Sequence, residues 1–189
     1  AFDGLSNMAS VTIPDSVTYI GSKAFADTGL QSLTLPSGLT ELGYSILSGN
    51  TAVKTVTVPG AVTSMDYSYD SNGVFSNSAV ESVIFEEGIT SIGAYCCNKA
   101  ASLKHVTLPG SLARIGNNAF ANTILEELNI PEGVSAFGRE LLWGNTAITS
   151  LTIPSSVQSG EGVLRGSKVA ELTFAEGTTD IPNRFCADA

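Results

Sequence analysis

The apolar residues of this chain recur in one arrangement at nearly constant spacing. In the stretch 30–43, leucines at 30, 33, 35, 39 and 42 are separated by polar or small residues, a proline follows the third leucine, and a glycine ends the stretch. That proline position recurs at 14, 36, 59, 86, 109, 131, 154 and 175, with Glu86 and Ala175 replacing proline. The intervals of 22, 23, 27, 23, 22, 23 and 21 residues are typical of a stacked solenoid, in which neighbouring units complete each other's core.

Each unit contains one triplet with the alternation of a half-buried strand. Leu33 and Leu35 flank Thr34, which is the period of a strand with one buried face. We therefore expect eight short strands stacked in one parallel sheet, because the proline that follows lacks an N–H and turns the chain out of the ladder. The equivalent triplets are Val11-Thr-Ile, Val56-Thr-Val, Val83-Ile-Phe, Val106-Thr-Leu, Leu128-Asn-Ile, Leu151-Thr-Ile and Leu172-Thr-Phe.

The second half of each unit predicts two further apolar contacts and a corner. Leu39 and Leu42 are expected to point inward. Their spacing of three fits a bent or short strand better than a regular one, so both a short strand and a turn stay open for this segment. The glycine at 21, 43, 93, 116 or 138 marks a corner that needs either a positive φ or a close backbone approach. An apolar pair such as Ala24-Phe25 or Ala119-Phe120 then enters the core.

A hydroxyl follows the apolar pair in most units. Thr28 and Thr123 stand three residues after the phenylalanine, and we expect them to satisfy backbone groups at the turns of adjacent units, a structural role. The equivalent places are assigned to Ser6, Thr51, Ser78, Thr146 and Ser167, with Ala101 as the exception.

The unit L-x-x-L-x-L-P-x-x-L-x-x-I-G-x-x-A-F-x-x-T resembles the leucine-rich repeats of the BspA-like, or treponemal, class over essentially all 189 residues. One departure is that the family often has cysteine where this chain has Thr28 or Thr123. The resemblance implies a mainly β leucine-rich-repeat solenoid, a right-handed curved superhelix of about eight rungs of 21–27 residues. It further implies a parallel concave sheet, with short second strands or turns and single helical turns on the other faces.

Composition narrows the classes of protein. The unbroken repeat predicts a single domain, 1–189, and its start and end within a unit predict a fragment of a longer chain. Hydrophobic residues make up 43% and charged residues 14%, which excludes a disordered chain, and the apolar runs are too short to insert into a membrane. Nine basic residues and 18 acidic ones give a net charge of -9. A negative charge repels nucleic acid and anionic membranes, so neither is expected as a partner.

The three cysteines predict free thiols. Cys96 and Cys97 occupy the position of the apolar pair and are expected to be small, buried hydrophobic residues. Cys97 and Cys186 are four rungs apart, about 19 Å at the usual strand spacing, too far for a disulfide.

The residues between the buried strand positions are the first candidate for partner binding. They form a row that includes Thr34, Thr57, Ile84, Thr107 and Asn129, and His105 and Glu127 lie in the row beside it. A broad, hydroxyl-rich solenoid face suits an extended partner, although threonine also simply favours strands. The breaks at Ile84, His105, Glu127 and Asn129 favour recognition, because a purely structural ladder has no need of them.

The insertion 66–73 is the second candidate. Tyr67 and Tyr69 are expected contact residues, since solenoid insertions form loops that frequently carry recognition, and a plain surface loop is the alternative. Ser68-x-Asp70-x-Asn72-Gly73 is only faintly similar to a calcium loop, because its first ligand is serine and Ala79 stands at the twelfth place. Trp143 either anchors an interface, folds over Arg139 or closes a local gap.

Catalytic residues are not identifiable. The single histidine, His105, has no nucleophile to pair with, the carboxylates are dispersed, and no glycine-rich phosphate loop is present. We expect a non-enzymatic protein without cofactor or metal. The resemblance implies a secreted or cell-surface bacterial protein, of a class that in several cases binds host or matrix proteins. Together with the exposed row of small polar residues, it leads us to expect a module that binds such a protein through the concave sheet and the inserted loop. A structural spacer and a glycan-binding solenoid are the alternatives.

Overall fold

The computed structural model describes residues 1–187, which form one mainly β solenoid. Each turn of the solenoid, here called a rung, has three sides: the first contains the strand triplet, the second the segment after the proline, and the third the apolar pair. Residues 1–187 contain no helix, so the expected single helical turns are wrong and the third side consists of hydrogen-bonded turns. No helix in this range could therefore cross a membrane.

All strand pairs of the solenoid are parallel. The second side has six two-residue strands, which form two sheets. One sheet contains β1 (Tyr19–Ile20), β2 (Glu41–Leu42) and β4 (Ser64–Met65). The other contains β6 (Ser91–Ile92), β8 (Arg114–Ile115) and β9 (Ala136–Phe137). The first side has β3 (Thr55–Val58), β5 (Ser82–Phe85) and β7 (His105–Thr107) in one sheet and β10 (Ser150–Ile153) and β11 (Glu171–Phe174) in another. The secondary structure of the second segment of the repeat, which the sequence did not decide, is thus a very short strand in most rungs.

The expected single sheet of eight strands on the first side is wrong. The triplets at 11–13, 33–35 and 128–130 form no strand, which leaves one sheet of three strands and one of two. Leu33 and Leu128 nevertheless remain buried, with 6% of their surface exposed. The core requires only that these side chains point inward, and the second and third sides hold the rungs together where first-side pairing is missing.

The core follows the repeat as the sequence predicted. Val56, Val83 and the other inward residues of the triplets pack against the apolar pairs of the third side, including Phe75 and Phe120. The register Val56↔Val83↔Val106 aligns equivalent residues of successive rungs. Each rung therefore buries its apolar face against its neighbours.

Close backbone approach explains four of the five corner glycines, with Gly21 as the exception. None of the five has a positive φ, so the conformational freedom of glycine is not what these corners use. A Cβ added at Gly43, Gly116 or Gly138 would lie 2.2, 2.5 or 2.2 Å from a backbone nitrogen of the preceding rung, far inside van der Waals contact.

Backbone hydrogen bonds join the rungs along the third side. Lys23 and Asp27 adopt left-handed conformations, with φ of 55° and 51°. In this arrangement the N–H groups of Lys23, Phe25 and Asp27 donate to carbonyls of the next rung at 2.9, 3.0 and 2.8 Å. The pattern recurs along the chain, and it satisfies backbone groups that a helix would have bonded internally.

The hydroxyl residues that follow the apolar pairs stack in a column beside the third side, here called the polar column. This column differs in part from the prediction. Thr28, Ser78 and Thr123 are buried, and each hydroxyl donates to the carbonyl three residues earlier. Thr51 and Thr146 are exposed, and their assignment to the column is wrong.

Asparagines occupy the column in those two rungs. Asn50 and Asn145 are 1% exposed and stand 22 residues after Thr28 and Thr123. The Asn145 side-chain oxygen accepts from Ala147 N and Ile148 N at 3.0 and 2.9 Å, while its Nδ2 reaches the Leu125 carbonyl of the previous rung at 3.3 Å. The 23-residue interval places its additional residue after the asparagine, so counting back from the proline points to the wrong residue.

Candidate functional site

Strand register brings part of the predicted surface together on the first side. Thr57, Ile84 and Thr107 are aligned partners on β3, β5 and β7, and His105 is aligned with Ser82 in the neighbouring row. Ile84 is half-buried between the two threonines, and Thr107 and His105 are exposed. The result is a rigid row with one apolar side chain between two hydroxyls.

A groove borders this row. It has a volume of about 360 Å³ and separates β3 from residues 33–35 of the preceding rung. Residues 33–35 and β3 share no backbone hydrogen bond among residues 1–187. Alternate residues of a parallel strand bond to opposite neighbours, and Val58 pairs towards β5. The backbone groups of Thr55 and Thr57 therefore face the groove.

The remaining first-side residues of the predicted site lie outside the three-stranded sheet. Thr34 is exposed at the groove, whereas Glu127 and Asn129 are exposed in the rung without a strand between β7 and β10. They belong to the same side of the solenoid as Ile84 but do not continue its hydrogen-bonded ladder. Their part in binding remains a prediction.

Two lysines on the first side pair with glutamates at the surface. Lys54 and Glu81 approach to 3.2 Å and Lys104 and Glu126 to 3.8 Å, each about half exposed. The His105 imidazole makes no hydrogen bond within residues 1–187, and that range contains no cluster of three metal-ligating side chains.

The inserted loop lies elsewhere on the molecule. It follows β4, at the corner between the second and third sides, where the Tyr67 ring packs at 5.7 Å from that of Tyr95. Asn98 Nδ2 holds the loop by donating to the Ser71 carbonyl at 2.8 Å. Tyr69 is fully exposed. The structure thus does not bring Tyr67 and Tyr69 together with the first-side residues, because the loop does not border that side.

The free thiols agree with the prediction. Cys96 and Cys97 are buried, Cys186 is exposed, and none is in a disulfide. Burial raises the pKa of the Cys97 thiol well above its ordinary value, so this cysteine is protonated and serves as a core residue.

Sequence reasoning missed a charged cluster on the third side. Arg139 and Arg184 both pair with Glu161, and Arg165 pairs with Glu140 at 3.4 Å. The Trp143 ring lies against Arg165, 6.0 Å from the guanidinium carbon to the ring centroid, rather than over Arg139. The arginines stand 26 and 19 residues apart, so no periodic signal joined them.

Comparison with known proteins gives the family. The model of the BspA type Leucine rich repeat region matches residues 1–72 and 69–188, in six copies. No curated protein matches.

Solved structures support the fold. A leucine-rich repeat protein from Bacteroides ovatus is similar over 99% of this chain and 55% of its own, at 19% identity and a TM-score of 0.75. The pneumococcal vaccine antigen PcpA is similar over 89% and 50%, at 23% identity and a TM-score of 0.51. A leucine-rich repeat protein of T. pallidum follows, over 87% and 75%, at 14% identity and a TM-score of 0.54. The chain spans about half the length of the first two structures.

Proposed function

Because this chain belongs to the BspA-type leucine-rich repeat family, we propose that it is a non-enzymatic protein-binding module that holds an extended segment of a partner protein against its first side. The main support is the groove between residues 33–35 and β3, with the row Thr57, Ile84 and Thr107 beside it.

The chemistry of this surface suits an extended polypeptide. The backbone of β3 and the hydroxyls of Thr34, Thr55 and Thr57 offer hydrogen bonds along the groove, as in recognition modes that use a strand edge. Ile84 provides an apolar contact one strand away. The rigid, shared backbone ladder limits the conformational entropy that the module loses on binding.

The family supports the biological setting of the proposal. We take the module to belong to a secreted or surface-displayed bacterial protein and its partner to be a host or matrix protein. One protein of similar fold is a pneumococcal vaccine antigen, which is consistent with exposure to a host. The adhesion role rests on the family, whereas the choice of surface rests on the groove.

A binding experiment with two matched lysine variants separates the two candidate surfaces. The chain is screened against an array of host and matrix glycoproteins, and each hit is measured again with Ile84→Lys and Tyr69→Lys. We expect Ile84→Lys to weaken binding at least tenfold and Tyr69→Lys to change it little. Loss only in Tyr69→Lys would assign recognition to the loop and refute the first-side proposal.

A structural spacer is the second candidate, favoured by the interrung hydrogen bonds of the third side. It predicts that the array gives no hit and that both lysine variants behave as the parent chain. Thermal unfolding of each variant serves as the folding control, because both substitutions replace side chains outside the core.

A further inference from the structure

Three of the four arginines of this acidic chain surround one depression on the third side. The depression has a volume of about 290 Å³ and lies across successive rungs. The positions equivalent to Arg165 in two earlier rungs are Asn98 and Ala121, so the repeat itself does not require a cation there. Its walls include Arg139, Glu140, Glu161, Gly162, Arg165 and Arg184.

Ion pairs position the three guanidinium groups and leave most of their donors free. Glu161 accepts from Arg139 through one oxygen and lies 3.1 Å from Arg184 through the other. The arginine side chains remain 65%, 52% and 68% exposed at 139, 165 and 184. A guanidinium has five N–H donors, and each of these groups has one nitrogen in an ion pair.

The Trp143 ring restrains the guanidinium of Arg165. The Trp143 ring lies on the backbone of Gly166, where an added Cβ would be 2.2 Å from Cε3 of the ring. Arg165 is positioned over this ring and is also paired with Glu140. Cation–π contact and ion pairing both restrict the side chain before any ligand arrives, which lowers the entropy cost of binding.

The depression presents acceptors as well as donors. Glu140 Oε2 accepts from Asn118 Nδ2 at 3.1 Å, and each of its oxygens and those of Glu161 has one partner. A carboxylate oxygen can accept two hydrogen bonds. The two carboxylates therefore retain acceptor capacity beside the free guanidinium donors.

We infer that this depression binds a uronic acid residue of an acidic polysaccharide. The ligand carboxylate pairs with the guanidinium forks, a geometry that arginine matches in bidentate fashion, and the sugar hydroxyls donate to Glu140 and Glu161. A phosphate dianion carries twice the charge of a uronate carboxylate, so Glu140 and Glu161 would repel it more strongly. An acidic peptide segment offers a carboxylate but lacks the hydroxyls that use the glutamate acceptors.

Calorimetric titration of the chain with trigalacturonate tests the ligand class. Methyl-esterified trigalacturonate removes the negative charge, hexaglutamate removes the hydroxyls, and inorganic phosphate removes both the sugar and the carboxylate. We expect each to bind at least tenfold more weakly than trigalacturonate. No binding of trigalacturonate, or equal binding of hexaglutamate or phosphate, overturns the inference.

Variants test the location. Arg184→Gln is expected to weaken trigalacturonate binding at least tenfold, and Arg184→Lys to recover only part of it, because lysine keeps the charge without the fork. Glu161→Gln should narrow the preference for trigalacturonate over phosphate. Lys99→Gln removes the same charge from the same side and should bind as the parent chain.

A loss of equal size in Lys99→Gln would show a general charge effect and refute the site. Unchanged binding in Arg184→Gln would do the same. If Arg184→Gln does not fold by thermal unfolding, Arg165→Gln replaces it with the same expected loss. The depression lies on a different side from the surface proposed for protein binding, so failure of one proposal leaves the other standing.

Discussion

The first and third sides of the solenoid solve the same problem in different ways. On the third side, left-handed residues at fixed places direct backbone N–H groups to the next rung, and this bonding recurs from rung to rung. On the first side, strand pairing is missing at 11–13, 33–35 and 128–130, yet the inward residues there remain in the core cluster or pack against it. The comparison indicates that the second and third sides hold the array together, which leaves the first side free to vary its surface.

Removing a third-side core ring is the strongest way to break this arrangement. Phe120 is fully buried between rungs, and Phe120→Ala should destabilise the chain by about 3–5 kcal/mol. Urea unfolding followed by circular dichroism measures the change. A loss below about 1 kcal/mol would contradict the assignment of the third side as the main support, because typical cavity costs exceed it.

Adding one methyl group at a corner should be the next largest effect. The Cβ of Gly138→Ala would lie 2.2 Å from Asn117 N, and the backbone shift should cost roughly 1–3 kcal/mol. Gly21→Ala is the matched control at the same corner, since its Cβ would meet only the Tyr19 side chain, at 3.5 Å. Equal unfolding midpoints for the two variants would argue against close approach as the reason for these glycines.

The polar column should give an effect no larger than that of the corner glycine. Asn145→Ala removes the side chain that bonds Ala147 N, Ile148 N and the Leu125 carbonyl, and leaving such buried groups unpaired costs about 1–3 kcal/mol. The neighbouring exposed Thr146→Ala should be close to neutral. Urea unfolding of both compares them directly, and the reverse order would restore Thr146 to the column.

Acidification should weaken a stabilising carboxylate contact between rungs. The N–H groups of Gly110 and Ser111 donate to Glu87 and lower the pKa of its carboxyl. Its contribution is therefore present above the unfolded-state pKa and is lost as pH falls through the lower folded-state pKa. The gap in stability between the parent chain and Glu87→Gln should shrink over this acidic window. A gap that stays constant with pH, measured by urea unfolding at each pH, would show that the contact does not depend on ionisation.

The smallest expected change in stability tests whether the exposed residues of the first side can vary without affecting the fold. Thr107→Ala changes an exposed strand residue, and we expect its unfolding free energy to stay within about 0.5 kcal/mol of the parent chain. A larger loss in urea unfolding would mean that the hydroxyl row is part of the supporting structure, which would favour the spacer over the binding module.

Much of the fold was predictable because burial follows the repeat directly. The inward direction of Leu33, Val56 and Leu128 requires only that apolar residues recur at equivalent places, and the structure confirms it. The error at Thr51 and Thr146 had a simple cause, since counting from the proline ignores where a 23-residue rung places its additional residue. The sequence also predicted the row around Ile84, but not the groove beside it.

The sequence by itself determined the solenoid, its period and its inward side chains, because an apolar face that recurs every 21 to 27 residues is buried only by stacking. Tertiary structure alone decided which first-side triplets pair as strands, that the inserted loop does not border the first side, and that Arg139, Arg165 and Arg184 meet. These features depend on how neighbouring rungs are spaced and which corner each residue occupies. Residues far apart in sequence therefore become neighbours in the solenoid, although no periodic pattern in the sequence indicates it.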